Sequence, residues 1–327
     1  MKADLYKRLF KAIFCEDIIA LKKIADIIIA EEKKLNHLKL VESLERIKYS
    51  ERPTTEKNHI GNHTGSMSTL PKSNRNNIQL VTEIPREQLK HNMILNDTTE
   101  QRLLCIEKEY AAKDRLSKYN LKPKRKILFY GEPGCGKTMA AERIAWNLGL
   151  PLLKVRFDSL LSSYFGESAS NLRTVFDYCA QRPVVLLLDE CDFIAKSRNT
   201  TQDVGEVPRI VNMLLTLLDE YNAPGLVIAT TNLKISLDEA LFRRFDDIIE
   251  IHKPTNKEII MLLKTNLSAI KTSNDIDWNF LSERLDGQSA ASIVSIVQNA
   301  AKKSILEGSS ILSQGCIIDI IEEMSSK

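Results

Sequence analysis

Short apolar runs alternate with stretches of helical periodicity through the middle of the chain. Five of these runs predict β-strands, because each is only four to seven residues long and rich in large or β-branched apolar residues. They are residues 127–130, 152–157, 184–188, 226–232 and 245–251. The segments between them repeat apolar residues at intervals of three or four, as helices with one buried face do. Strands that alternate with helices predict a three-layer α/β fold with a parallel sheet in the middle.

The two flanking regions have other patterns. Apolar residues at helical spacing predict two helices within residues 1–48, and a segment rich in Pro, Gly, Ser and Asn predicts a flexible linker at 49–80. After Pro254 the pattern becomes wholly helical, so that residues 255–327 form a separate unit beside the α/β domain of residues 81–254. The N-terminal helices are too short to bury a core alone. They either dock a partner or substrate, or stabilise the chain as an appendage.

A glycine-rich loop follows the first of the five runs and precedes a helical stretch that opens at Met139. Its sequence is Gly131-Glu132-Pro133-Gly134-Cys135-Gly136-Lys137-Thr138. Between a strand and a helix, the spacing G-x-x-x-x-G-K-T is typical of a loop whose backbone N–H groups surround phosphates. We expect Lys137 to contact the outer phosphates and the Thr138 hydroxyl to bind Mg²⁺. The loop therefore predicts ATP and Mg²⁺ as cofactors, the alternative being a chance glycine-rich turn. Cys135 either fits because it is small or makes the loop redox-sensitive.

Two acidic residues, Asp189 and Glu190, follow the apolar run 184–188 directly. Ionised side chains at the end of a buried strand are costly unless they serve a cation. We therefore expect Asp189 to bind Mg²⁺ and Glu190 to activate the attacking water. Asn232 ends the next strand, where it can hydrogen-bond the γ-phosphate or that water.

Two adjacent arginines, Arg243 and Arg244, lie in the turn before the last predicted strand. Exposed arginines are usually solvated, but at a subunit edge they can contact the γ-phosphate of a neighbour. Such action in trans requires an oligomer, most simply a ring. A basic cluster at 122–126 is interpreted as a solvated strand entrance beside bound phosphates, rather than as a nucleic-acid site.

As an ordered set, these motifs resemble those of the AAA+ ATPases of the protein-remodelling type, over about residues 127–301. The resemblance includes Asp192 and Arg198 after the acidic pair, Asn232 in the sensor position, and adjacent arginines similar to the finger pair of the katanin and spastin group. It implies a homo-oligomer, a hexamer in this family, with nucleotide at the subunit interfaces.

Two further segments are assigned by the same resemblance. Residues 255–327 become the helical lid, whose segment 287–292 brings Ala291 near the nucleotide, although Ala290 and Ser292 depart from the family's Ser-Gly-Ala-Asp pattern. The segment Tyr164-Phe165-Gly166 fits the family's aromatic–hydrophobic–glycine pore loop, which grips polypeptide by stacking and apolar contact. The alternative is a core Tyr and Phe beneath a turn, but the polar residues on both sides favour exposure.

Composition limits the partners and the location. The chain has 327 residues, of which 43% are hydrophobic and 27% charged, and its net charge of +3 is too small to indicate a nucleic-acid or membrane partner. We find no apolar run of about 18 residues and no secretory signal pattern. The six cysteines are scattered without CxxC pairs, as in proteins that keep reduced thiols. These features predict a cytoplasmic protein without a membrane partner.

Three functions remain open on the sequence alone. The first is an ATP-driven protein remodeller that threads polypeptide through the pore loop. The second is a nucleic-acid-acting ATPase of the loader or helicase type, and the third is a regulatory ATP switch. Since the chain has no H-E-x-x-H motif, degradation of its substrates would need a separate peptidase, for which residues 1–48 are the expected docking segment. The plan of the chain resembles small bacterial AAA proteins, some of which accompany such a protease.

Overall fold

The computed structural model describes residues 70–73, 77–161, 167–192, 206–232, 242–268, 270–309 and 311–325. The predicted N-terminal helical domain (1–48), the predicted pore loop Tyr164-Phe165-Gly166 and Arg198 lie outside the described residues. What was predicted for them stays a prediction.

A six-stranded sheet forms the middle of the α/β domain. Its strands are β1 (Val81–Ile84), β2 (Lys126–Tyr130), β3 (Leu152–Val155), β4 (Val185–Leu188), β5 (Leu226–Thr231) and β6 (Asp247–Glu250). They lie in the order β1-β3-β4-β5-β2-β6. Strands β2 to β6 are parallel to one another, and β1 pairs antiparallel with β3. The carboxyl ends of the five parallel strands therefore share one edge of the sheet.

Helices lie on both faces of the sheet and in a C-terminal unit. They are α1 (Asp97–Ala111), α2 (Lys113–Ser117), α3 (Lys137–Leu148), α4 (Phe157–Leu161), α5 (Glu167–Ala180), α6 (Glu206–Glu220), α7 (Asn256–Asn266), α8 (Trp278–Arg284), α9 (Ala290–Leu306) and α10 (Gln314–Ser325). A short 3₁₀ helix spans Arg86–Gln88.

Each face of the sheet has its own hydrophobic core, because successive strand residues point to opposite faces. Residues of α5 and α6 pack with Leu186 and Val227 on one face. Residues of α1 and α3 pack with Ile127, Phe129 and Leu187 on the other. Every residue of β4 is buried, as expected for a strand covered on both sides. The predicted three-layer α/β fold is confirmed.

The structure adds a strand that the apolar runs did not predict. Strand β1 buries only Val81 completely, so its four residues do not form an apolar run. The segment before β1 is tightly packed: Leu80 is fully buried and donates its N–H to the Pro71 carbonyl at 2.9 Å. The described end of the predicted linker thus packs on the domain.

The four C-terminal helices α7 to α10 enclose a third core, which includes Ile259, Leu281, Ile296 and Ile317. This unit also contains a short parallel pair, β7 (Lys271–Thr272) and β8 (Ile311–Leu312), within a region predicted to be wholly helical. Two residues are too few to leave a strand pattern in the sequence. The boundaries predicted at 80/81 and 254/255 stay predictions. No helix in the described part of the chain is long and apolar enough to cross a membrane.

Candidate nucleotide-binding site

The glycine-rich loop connects β2 to α3 at the carboxyl edge of the sheet. Two of its glycines have positive φ in places that a side chain could not fill. A Cβ on Gly131 (φ 146°) would lie 2.3 Å from the Ile251 carbonyl oxygen, and one on Gly134 (φ 77°) would lie 2.7 Å from the Ser289 Oγ. Glycine is therefore needed at both positions to let the backbone curl. The result is a cradle at the N-terminus of α3, where the helix dipole favours an anion.

Lys137 lies inside this cradle and is buried. Its ammonium group donates to the Gly131 carbonyl at 2.9 Å and to the Glu132 carbonyl at 2.8 Å. Burial lowers the pKa of Lys137, and the nearby negative charges of Asp192, Asp189 and Glu190 oppose that shift. Among the described residues its hydrogen-bond partners are these two carbonyls, and a positive charge held in this way is suited to receive phosphate oxygens.

Asp189 follows β4, and its carboxylate accepts three hydrogen bonds. Its Oδ1 accepts from the hydroxyls of Thr138 at 2.8 Å and Thr230 at 2.7 Å. Its Oδ2 accepts from the Lys154 ammonium at 2.6 Å. Burial alone would raise the pKa of Asp189, but these three donors outweigh it and hold the pKa below its ordinary value. The carboxylate is therefore ionised at neutral pH.

Glu190 has a left-handed backbone, with φ at 56°, which costs a non-glycine residue about 1–2 kcal/mol. Its N–H donates to the Thr230 hydroxyl at 2.9 Å, and that hydroxyl donates in turn to Asp189. One threonine therefore fixes both acidic residues. The Glu190 side chain is exposed and lines a cleft of about 340 Å³ with Asp189 and Lys154.

Asn232 lies just beyond β5, where Asp192 holds it. The Asn232 N–H and Nδ2 donate to the two oxygens of the Asp192 carboxylate at 2.8 and 2.9 Å, and the Thr231 hydroxyl donates to the same carboxylate at 2.7 Å. Burial alone would raise the pKa of Asp192, but the hydroxyl and amide donors keep it low. The amide of Asn232 is thus positioned at the same edge as Asp189.

The C-terminal helical unit, which the sequence predicts to be a lid, contacts the loop through the start of α9. The Ala291 N–H donates to the Gly134 carbonyl at 3.0 Å, and Ser289 caps the helix by accepting from the Ser292 N–H at 3.2 Å. The structure therefore places Ala291 beside the loop, although Ala290 and Ser292 depart from the family pattern. On the other side of the loop, the exposed Glu132 pairs with Lys253 at 2.6 Å.

Cys135 is buried beneath the loop and packs in the core shared with α1 and α3. Burial raises the pKa of its thiol above the ordinary value. Since the thiolate is the reactive form, a buried thiol with a raised pKa is poorly suited to a redox switch. Its small size is the simpler reason for its place in the loop.

The two arginines lie at the opposite edge of the sheet from the loop. They precede β6, where Arg243 is exposed and the Arg244 Nε donates to Asp219, at the end of α6, at 3.1 Å. Next to them, Asp246 accepts from the backbone N–H groups of Arg125 and Lys126 at the start of β2. The structure does not bring Arg243 and Arg244 together with Lys137, Asp189 or Asn232.

The basic cluster 122–126 also lies at this amino edge, so the expectation that it lies beside its own chain's phosphates is wrong. The reason is strand direction: the cluster enters β2, whereas the loop leaves it. Part of its charge is balanced locally, because Lys124 pairs with Asp247 at 2.9 Å and Lys126 with Asp246 at 3.7 Å. The cluster and Asp219 line a cleft of about 720 Å³.

Two residues of the site, Lys154 and Thr230, were not predicted from the sequence. A signal for Lys154 existed, since a charged residue interrupts the apolar residues Leu152, Leu153 and Val155 of β3. Thr230 gave no signal, because a threonine before Asn232 is an ordinary strand residue.

The loop and the acidic edge fit a nucleotide phosphate chain with Mg²⁺. Thr138 donates its hydroxyl proton to Asp189, which leaves the lone pairs of its oxygen available for a cation. Hydroxyl and carboxylate oxygens are ligands that Mg²⁺ prefers. Among the residues described, no group of three or more His, Cys, Asp and Glu could hold a metal by itself.

A parallel α/β sheet with this loop after a central strand, and a carboxylate at the end of a nearby strand, defines a nucleotide-binding ATPase of the P-loop class. Residues 127–253 match the family described as "ATPase family associated with various cellular activities (AAA)". Over 227 residues the chain is 38% identical to the "Uncharacterized AAA family ATPase y4kL" of Sinorhizobium fredii (strain NBRC 101917 / NGR234), covering 69% of this chain and 68% of that protein. The chain belongs to the AAA family of ATPases. The predicted family is thereby confirmed; the protein-remodelling type within it stays a prediction.

Proposed function

We propose that the protein is a ring-forming protein remodeller, a homo-oligomer and most simply a hexamer, in which each ATP site is completed by the neighbouring copy. Within one chain, the loop residues 131–138 and Met139 bind the phosphates of ATP, and Thr138 and Asp189 hold Mg²⁺. ATP with Mg²⁺ supplies the phosphoryl group and much of the charge neutralisation. The neighbour contributes Arg243 and Arg244.

The separation of the arginines from the loop is the observation that carries this proposal. Strand β2 runs from Lys126, level with Asp246, to Tyr130, where the loop begins. At about 3.3 Å per residue, the two edges are about 13 Å apart. That distance exceeds the reach of an arginine side chain, so Arg244 cannot contact a phosphate bound by its own loop. An arginine that acts on phosphate from this position must act on another copy.

Residues at the carboxyl edge of the sheet carry out the hydrolytic step. Glu190 accepts a proton from the attacking water. Its backbone N–H is bound to Thr230, and no residue that the structure describes forms a hydrogen bond with its carboxylate. Asn232, held by Asp192, orients the water or the γ-phosphate. The trans arginines stabilise the charge that develops on the transferred group, an effect of about 10³ to 10⁵ in rate.

The substrate of the proposed remodeller is unfolded polypeptide, gripped by Tyr164, Phe165 and Gly166. This part rests on the sequence pattern and on membership of the AAA family. Residues 1–48 are proposed to dock an adaptor or a separate peptidase. A nucleic-acid substrate is disfavoured by the net charge of +3 and by the local pairing of Lys124 and Lys126.

ATP turnover measured with two candidate substrates tests this proposal. A reduced and alkylated, permanently unfolded protein should stimulate turnover, whereas duplex DNA should not. Tyr164→Ala should lose the stimulation, and the matched variant Tyr164→Phe should keep it, because the aromatic face is retained. Stimulation by DNA alone would favour a loader or helicase, and no response to either substrate would favour a regulatory switch.

A further inference from the structure

Lys154 occupies one side of the carboxylate that the proposed function assigns to Mg²⁺. It lies on β3 opposite Leu187 of β4, and its ammonium is 2.6 Å from the Asp189 Oδ2. The Asp189 side chain is only 8% exposed, and that of Lys154 is 41% exposed. The ion pair therefore joins a buried anion to a cation that can reach solvent.

The pair is needed because Asp189 is buried. Thr138 and Thr230 satisfy Oδ1 with neutral hydroxyls, so that, among the residues the structure describes, Lys154 is the positively charged donor to this carboxylate. Removing the partner of a buried charge is strongly destabilising. A second cation at Asp189 changes this balance, because a divalent cation bound to the carboxylate repels the nearby Lys154 ammonium.

The cleft beside Asp189 has room for the Lys154 side chain after its ion pair with Asp189 breaks. It has a volume of about 340 Å³, and Lys154, Asp158 and Glu190 line it. An ammonium that leaves Asp189 can therefore stay hydrated within a cleft that also contains carboxylates.

We propose that Lys154 is a positioning residue that balances the charge of Asp189 in the absence of nucleotide and that Mg²⁺ with nucleotide must displace from the Oδ2 oxygen. The inference rests on the proposed Mg²⁺–ATP site. It makes Lys154 a competitor of the metal: it stabilises the empty site and raises the Mg²⁺ concentration needed to fill it.

The test measures binding of a fluorescent ATP analogue against Mg²⁺ concentration, together with the melting temperature of the nucleotide-free protein. In Lys154→Met, half-maximal Mg²⁺-dependent binding should occur at a Mg²⁺ concentration about tenfold lower, since a charge-assisted hydrogen bond no longer has to break. The nucleotide-free variant should melt at a lower temperature, and Mg²⁺ alone should restore part of the loss.

Arg156→Met is the matched control. Arg156 lies two residues further along and lines the same cleft, but it pairs with the exposed Asp158 rather than with Asp189. Its Mg²⁺ dependence should equal that of the wild type. If Lys154→Met does not fold, Lys154→Gln is used, which keeps a donor and removes the charge.

The outcomes distinguish a failure of the role of Lys154 from a failure of the proposed Mg²⁺–ATP site. An unchanged or higher Mg²⁺ requirement in the Lys154 variant, with normal binding in the wild type, would overturn the role of Lys154 and leave the proposed function intact. A wild type that binds the analogue equally well with and without Mg²⁺, and an Asp189→Asn variant that behaves in the same way, would overturn both.

Discussion

The hydroxyl of Thr230 is expected to hold the two acidic residues of the site in place, and Thr230→Val tests this. Valine has nearly the same shape, so the substitution removes the hydroxyl without opening a cavity. Thr230 is 1% exposed, donates to the Asp189 Oδ1 at 2.7 Å and accepts from the Glu190 N–H at 2.9 Å. Both bonds are lost in the variant, and water cannot replace them easily at a buried position.

The expected loss of stability follows from the two hydrogen bonds that the variant lacks. A hydrogen bond to a charged group contributes about 1.5–3 kcal/mol and one to a neutral group about 0.5–1.5 kcal/mol. We therefore expect the free energy of unfolding to fall by about 3 kcal/mol, which lowers the melting temperature by roughly 6–12 °C for a domain of this size. Because the left-handed backbone of Glu190 loses its anchor, kcat should also fall, by about tenfold or more, with a smaller change in KM.

Thr230→Ser is the control, because it keeps the hydroxyl and loses only a methyl group, at a cost of about 1 kcal/mol. Thermal unfolding and steady-state ATP turnover are measured for both variants. The serine variant should retain most of the turnover. If the valine variant is as stable and as active as the serine variant, the hydroxyl does not position Asp189 and Glu190, and the reasoning fails.

Three further variants address the acidic pair and the loop. Glu190→Gln should bind ATP almost normally and hydrolyse it about 10² to 10⁴ times more slowly; normal turnover in a single-turnover assay would exclude Glu190 as the base. Gly131→Ala should abolish nucleotide binding in a calorimetric titration, because its Cβ would meet the Ile251 carbonyl at 2.3 Å, whereas Gly149→Ala, with nothing within 4 Å, should bind normally. Hydrogen peroxide should leave nucleotide binding unchanged, since burial raises the pKa of the Cys135 thiol; a loss of binding that Cys135→Ser prevents would contradict this.

The sheet could be predicted from the sequence because its parallel strands are buried on both faces. Such strands leave uninterrupted apolar runs, as in Val185–Leu188. The edge strand Val81–Ile84 left no such run, because its middle residues, Thr82 and Glu83, are exposed. Helix α1 starts at Asp97, because Asn96 caps it by accepting from the Thr99 N–H.

The sequence predicted only those residues of the site that belong to recognisable motifs. Loop spacing identified Lys137 and Thr138, and the end of an apolar run identified Asp189. The roles of Lys154 and Thr230 depend on register, since Lys154 lies opposite Leu187 and the pairing of Leu188 with Ala229 brings Thr230 beside Asp189. Apolar runs do not fix register, because a slip of one residue leaves the run unchanged. The basic cluster was misplaced for a related reason: its distance from the loop depends on the length and direction of β2.

Mixing two inactive variants tests most directly whether each site is completed by a neighbouring copy. Lys137→Ala subunits should bind no nucleotide but still offer Arg244 to a neighbour. Arg244→Ala subunits should bind ATP, but a neighbour of the same variant offers them no Arg244. Random mixing in equal amounts leaves about a quarter of all sites with an intact loop and an intact neighbouring arginine, for a ring of identical contacts. We predict that ATP turnover recovers to about that fraction of the wild-type rate. Mixed rings that form, as shown by mass, but remain as inactive as either variant alone would contradict the account.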